Sequence, residues 1–191
     1  MINWSEHFAT NIEVVDTQHK KLFDLINELT ESYNRGGSSE NLVDDALKQL
    51  VAYSDKHFLE EEELMLHNKV DQRHVKVHRM EHKSFMYDVH NMLTHSSRQE
   101  DLFEMIEKLV RFITSWLTYH ILSTDRIMAA QIAAIQDGTS PEKAYELRNT
   151  IKYDATVSQL MLNSVFDLWQ HSDERCHKLE EQLAALSDRK R

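Results

Sequence analysis

The sequence predicts an all-α protein: an up-down-up-down four-helix bundle with a C-terminal helical extension. Three observations predict it. The 191 residues include 3 glycines and 1 proline, so little interrupts a helix. Apolar residues recur at helical spacing in four long blocks. Short turn-forming stretches separate the blocks, and short connections favour antiparallel neighbours.

The first fifteen residues read as an irregular arm carrying Trp4, Phe8 and Ile12. The first helix runs from about Asp16 to Tyr33, with Val15, Leu22, Phe23, Ile26 and Leu29 on one face, and "NRGGSS" stops it. The second runs from about Glu40 to Leu66, with Leu47, Leu50, Val51, Leu64 and Met65 inward. The third runs from about Arg73 to Thr94, with "THSSRQED" as the following turn. The fourth reads as one helix from about Asp101 to Gln136, with Ile106, Leu109, Ile113, Trp116, Ile127 and Met128 inward. "DGTSPEKAYE" then marks a boundary: Gly138 stops a helix, Ser140 caps the next and Pro141 fits its first turn. This divides the chain into a bundle over 1–136 and an extension over 137–191. The extension's long helix, about Tyr153 to Leu186, carries a seven-residue seam of Leu162, Val165, Trp169, Cys176, Leu179, Leu183 and Leu186, interrupted at Ser172. Such a seam suits a two-stranded coiled coil, hence a homodimer, or packing on the bundle's flank.

Composition narrows the function classes. A formal charge of −10 disfavours nucleic acid or anionic lipid as a partner. No apolar run of about 18 residues exists, so no membrane span is expected. The N-terminus has no signal-peptide pattern. Cys176 is the single cysteine, which fits a reducing, cytoplasmic setting.

The unusual component is 12 histidines, some of them in the middle of apolar stripes. His19 shares the stripe of Val15, Leu22 and Ile26. The stripe through Leu47, Leu50 and Ser54 continues to His57 and Glu61, one turn apart. Ile113 and Trp116 lead to His120. One inward histidine is ordinarily a hydrogen-bonded core residue. Each unpartnered buried polar side chain costs on the order of 1–3 kcal/mol, against a domain stability of roughly 5–15 kcal/mol. A shared metal centre removes that cost for every ring.

"VDQRHVKVHRMEH" places His74, His78 and His82 four residues apart. Eight residues of helix span about 12 Å, and metal–nitrogen bonds are about 2 Å, so His74 and His82 cannot share an ion. The stripe of Val75, Phe85, Met86, Val89, Met92 and Leu93 favours His78 and His82. His74 is expected to be a solvated or capping residue at the helix start. Asp125 follows His120 by five residues, about 140° around a regular helix. It points sideways to a second metal, or a local π-bulge realigns it.

These segments resemble the bacterial hemerythrins, non-haem di-iron oxygen-binding proteins. The matching pieces are "VDTQHKKLFDLIN" with His19, "HFLEEEELM" with His57 and Glu61, "HRMEHKSF" with His78 and His82, and "WLTYHILSTD" with His120 and Asp125. The N-terminal Trp4 also fits. The resemblance covers about residues 1–136. One departure is the segment between Met65 and His78, slightly longer than usual and without the Tyr-Pro pair often found there.

The resemblance implies a hemerythrin-like bundle, two iron ions joined by an oxo or hydroxo bridge, and dioxygen as ligand. It implies that His78, His82 and His120 hold one iron, that His19 and His57 hold the other, and that Glu61 and Asp125 bridge them. Nitrogen and carboxylate donors without a thiolate suit iron. If both irons are six-coordinate, these ligands together with the oxo or hydroxo bridge leave one open position, on the iron with two histidines. Phe8, Ile12, Phe23, Trp116 and Leu117 are candidates for an apolar oxygen pocket. Glu60, Glu62 and Glu63 read as a solvated face, His7, His67, His90, His95, His171 and His177 as surface residues, and Cys176 as a packing residue.

The tail resembles the linker of proteins that fuse a hemerythrin domain to a diguanylate cyclase, the enzyme class that makes c-di-GMP. No "GGDEF" occurs. The expected role is therefore a non-enzymatic oxygen or redox sensor for signal transduction to an output domain. The alternatives are a stand-alone oxygen carrier or store and, less favoured, a di-iron oxidase or peroxidase. Such oxidases use paired Glu-x-x-His motifs. Here a single such pair occurs, Glu174 with His177.

Overall fold

The computed structural model describes residues 2–34, 40–94 and 102–188. The expected stops at "NRGGSS" and "THSSRQED" lie mostly outside these residues. Four long helices form the bundle: α1 (Glu13–Asn34), α2 (Glu40–His67), α3 (Gln72–Thr94) and α4 (Leu102–His120). α1 packs on α2 and α4, and α3 packs on α2 and α4, which closes the ring of an up-down-up-down bundle. Leu22, Leu29, Leu50, Phe85, Leu109 and Ile113 fill its interior. Burying each such side chain contributes about 1.5–3 kcal/mol.

The N-terminal arm is held at both ends. Trp4 and Phe8 pack on Phe23, and the Phe8 and Phe23 rings meet edge-on at 5.0 Å. The Asp16 carboxylate accepts from the backbone N–H of Thr10 at 2.8 Å and of Asn11 at 3.1 Å, and from the Thr10 hydroxyl at 2.7 Å. These bonds anchor the turn at Asn11, where φ is 65°. The connection from α2 to α3 spans Asn68 to Asp71, turns at Lys69 with φ 56°, and buries Val70.

The fourth block is not one regular helix. α4 ends at His120, a π-helical turn covers Ile121–Asp125, and α5 (Arg126–Gln136) continues the rod. Gly138, with φ 90°, ends α5. Ser140 caps α6 (Pro141–Glu146), accepting from the Lys143 N–H, with Pro141 in the first turn.

The long C-terminal helix α7 (Ala155–Asp188) lies along α4. Its packed face is Val157, Leu160, Met161 and Leu168. The Ser115 hydroxyl donates to Asp167 at 3.0 Å, Arg175 pairs with Asp88 at 2.6 Å, and His171 packs on Phe112. Packing on the flank therefore uses residues that interleave with the seven-residue seam. The seam itself faces solvent: Leu162, Val165, Trp169, Cys176, Leu179 and Leu183 are exposed. The side chain of Leu186 lies outside the described residues. No helix among the described residues is long and apolar enough to cross a membrane.

Candidate metal centre

Four helices aim histidine rings at one point of the bundle interior. His19 comes from α1, His57 and Glu61 from α2, His78 and His82 from α3, and His120 from the end of α4; all are buried. The i, i+4 spacing puts His57 with Glu61, and His78 with His82, on one helix face.

The donor atoms form two overlapping groups. Glu61, His78, His82 and His120 present donors within 4.8 Å of one another, and so do His19, His57 and Glu61. The Nε2 of His120 lies 3.1 Å from the Nε2 atoms of both His78 and His82.

Asp125 joins them through the π-helical turn. A regular helix would turn it about 140° from His120. The wider π turn brings it back to the same side. Its Oδ1 lies 3.1 Å from His78 Nε2 and 3.1 Å from His120 Nε2, and its Oδ2 lies 3.2 Å from His19 Nε2. Glu61 lies between the same groups without that clean split: Oε1 is 3.8 Å from His19, and Oε2 is 3.4 Å from both His78 and His82 and 3.7 Å from His57.

The protein's own hydrogen bonds leave many of these atoms without a partner. Both oxygens of Glu61, both of Asp125 and both nitrogens of His19 are buried without a hydrogen-bond partner. Burial raises the carboxyl pKa of Glu61 and of Asp125, and the histidines facing them outweigh it, holding both below the ordinary range. Burial lowers His57 and takes His82 down to about 4. Burial also opposes charge on His120, but Asp125 and Glu81 outweigh it and raise it to about 10. His78 is raised, with Asp125 and Glu61 outweighing its burial. Orphaned oxygens and converging imidazole nitrogens are what bound cations satisfy.

Several neighbours of the site lie outside the expected set. The His57 Nδ1–H donates to Gln18 Oε1 at 2.8 Å, and Gln18 in turn donates to Glu60. The His120 Nδ1–H donates to Glu81 Oε2 at 2.9 Å. Phe58 stacks on His82 with ring centroids 4.0 Å apart. No stripe pattern announces these residues, because they reach the site from its sides.

His74 departs from the expected solvated position. It is buried, 5% exposed, with its Nε2 unpartnered and its ring 5.4 Å from that of His78. Val70 and Val75, in the apolar cluster at this end of the bundle, are buried beside it in sequence. Burial first, and His78 second, lower its pKa to about 4. The glutamate run also differs from a wholly solvated face. Glu60 is tied to Gln18, while Glu62 pairs with Arg79 and lies 3.7 Å from His82 Nδ1. Among the surface histidines, His171 is half-buried against Phe112, His7 is half-buried, and His95 lies outside the described residues.

Four of the five candidate pocket residues, Phe8, Phe23, Trp116 and Leu117, belong to one apolar cluster, and Ile12 belongs to another. Phe8 and Phe23 pack with Trp4, whose ring lies 6.5 Å from that of His19. Trp116 stacks on His120 at 4.3 Å. Leu117 is buried in the main core, and Ile12 packs with Val15 and Met65 at the other end.

Comparison with known proteins agrees with this geometry. The hemerythrin HHE cation binding domain matches residues 10–132. The chain is 28% identical over 130 residues to a bacteriohemerythrin of Clostridium acetobutylicum, covering 66% of this chain and 97% of that protein. It is 27% identical over 135 residues to a bacteriohemerythrin of Methylococcus capsulatus, covering 70% and 98%. It is 32% identical over 123 residues to a hemerythrin-like protein of Naegleria gruberi, covering 64% and 87%.

Proposed function

The chain belongs to the hemerythrin family, whose cofactor is a di-iron centre and whose ligand is dioxygen, and from that premise we propose a ligand assignment and a sensing role. His78, His82 and His120 would hold one iron, His19 and His57 would hold the other, and Glu61 and Asp125 would supply carboxylate oxygens between them. The observation that carries this is the split of Asp125: one oxygen faces His78 and His120, and the other faces His19.

When bound, the di-iron centre supplies reversible binding of dioxygen. The protein's own groups do the rest. Gln18 fixes the ring of His57. Phe58 and Trp116 cover the flat faces of His82 and His120 and keep water from that side. Phe8 and Phe23, backed by Trp4, supply the apolar lining beside His19.

In this reading residues 1–136 are the binding module and 137–191 carry a signal of oxygen or redox state to an output domain, as in hemerythrin–diguanylate cyclase fusions. The packing of α7 supports it. α7 lies on α4, which carries Trp116 and His120, and also touches the π-helical turn that carries Asp125. A change at the ligands thus has a direct route to α7, provided the helix has two packings of similar energy. The exposed seam is assigned to a second copy of this chain. Its seven-residue spacing is self-complementary, and parallel in-register pairing sets Cys176 opposite itself.

Two experiments on the full chain test the proposal. His120→Ala and His19→Ala should each lose iron, and unchanged iron content in either overturns the assignment. Amide hydrogen exchange compared between reduced and oxygenated protein should differ along α7. Identical α7 profiles overturn the sensing role and leave an oxygen carrier.

A further inference from the structure

We infer that Glu81 is a positioning residue for the metal centre, orienting His120 from outside the ligand set. Its Oε2 accepts two hydrogen bonds, from the His120 Nδ1–H at 2.9 Å and from the Thr124 hydroxyl at 2.8 Å. The inference rests on the di-iron reading and adds to it the partner that sets the donor strength of one ligand.

Glu81 sits on α3 between His78 and His82, yet it turns toward the junction of α4 and the π-helical turn. Its carboxylate accepts the hydrogen bond from the Nδ1–H of His120. This fixes the tautomer that leaves Nε2 to face His78, His82 and Asp125. Thr124 belongs to the π turn and neighbours Asp125, so the same oxygen ties the realigned backbone to α3. The Nδ1 atoms of His19, His78 and His82 make no hydrogen bond, and His57 donates to the neutral amide of Gln18. Among the described histidine ligands, His120 therefore carries the hydrogen bond to an anionic acceptor. An anionic acceptor makes the imidazole a stronger donor. That favours the more highly charged state of the iron held by His120.

The test compares the full chain with Glu81→Gln, Glu81→Ala, Thr124→Val and Glu62→Gln. Glu62 is a nearby carboxylate 3.7 Å from His82 Nδ1 that makes no hydrogen bond to it, so it reports charge proximity alone. Glu81→Ala is expected to weaken iron binding by about 10- to 100-fold, the usual effect of losing such a partner. Glu81→Gln is expected to keep its iron, raise the midpoint potential and slow oxidation in air. Thr124→Val shifts both in the same direction by less. Equal shifts in Glu62→Gln and Glu81→Gln, or wild-type affinity and potential in both Glu81 variants, overturn the inference.

A second readout does not depend on iron. In the zinc-loaded chain the His120 Nδ1–H proton should resonate far downfield and exchange slowly, and should move upfield in Glu81→Gln. An unmoved resonance overturns the role of Glu81. Failure of the wild-type chain to bind iron sinks the di-iron reading instead, and the zinc-loaded spectrum still decides Glu81.

Discussion

His74, His78 and His82 stand one turn apart on α3, and all three are buried, but they answer to different surroundings. His78 and His82 face Glu61, each at 3.4 Å, while His74 is buried without a partner for its Nε2. His74→Ala is therefore expected to leave iron content unchanged, whereas His78→Ala and His82→Ala lose iron; metal analysis of the three variants checks this. His74→Ala should change the stability little, because the lost packing is offset by removal of a buried nitrogen that has no partner, as read by chemical denaturation. Helix rise keeps His74 and His82 from sharing one ion, and stripe phase favours His78 with His82. They did not reveal the burial of His74; Val70, also buried at this end of the bundle, comes from the α2–α3 connection and not from the stripe of α3. The same limit hid Glu81 and Gln18, whose polar character gives no phase signal.

At the scale of elements, the bundle helices were legible from periodicity, and the two devices that matter most for function were ambiguous. A five-residue spacing from His120 to Asp125 fits either a sideways carboxylate or a π turn, and tertiary contacts select the π turn. Likewise α7 carries two interleaved apolar faces, and periodicity does not say which one meets α4. The structure gives α4 the face of Val157, Leu160, Met161 and Leu168, and leaves the seam exposed. The seam makes a specific prediction. Under mild oxidation, Cys176 should cross-link two copies into a disulfide dimer, and Leu179→Glu should abolish the cross-link. Sedimentation in reducing buffer should show a dimer that Leu162→Glu with Leu179→Glu converts to monomer. A wild-type monomer at all concentrations contradicts the pairing.

At the scale of the whole molecule, five histidines and two carboxylates from the four bundle helices and the π-helical turn are buried in one core, where several of their polar atoms have no hydrogen-bond partner. Without metal, groups of opposite behaviour share that core. His74 and His82 have folded-state pKa values of about 4, below the ordinary 6.5. Their contribution is present above about 6.5 and is lost as pH falls toward 4. His120 is raised to about 10, so its contribution is complete below 6.5 and is lost as pH rises toward 10. The metal-stripped chain should thus show a thermal midpoint that peaks between these limits and falls on both sides. Iron-loaded protein should melt higher throughout the neutral range, because binding stabilises the folded state. Equal midpoints with and without iron would mean that the metal is not held by this core.

The most direct test is metal analysis of the purified chain combined with optical spectra taken after anaerobic reduction and again after air is admitted. We predict about two irons per chain and a near-ultraviolet and visible band that disappears on reduction and returns with dioxygen. One zinc per chain, with no spectral change, would contradict the account.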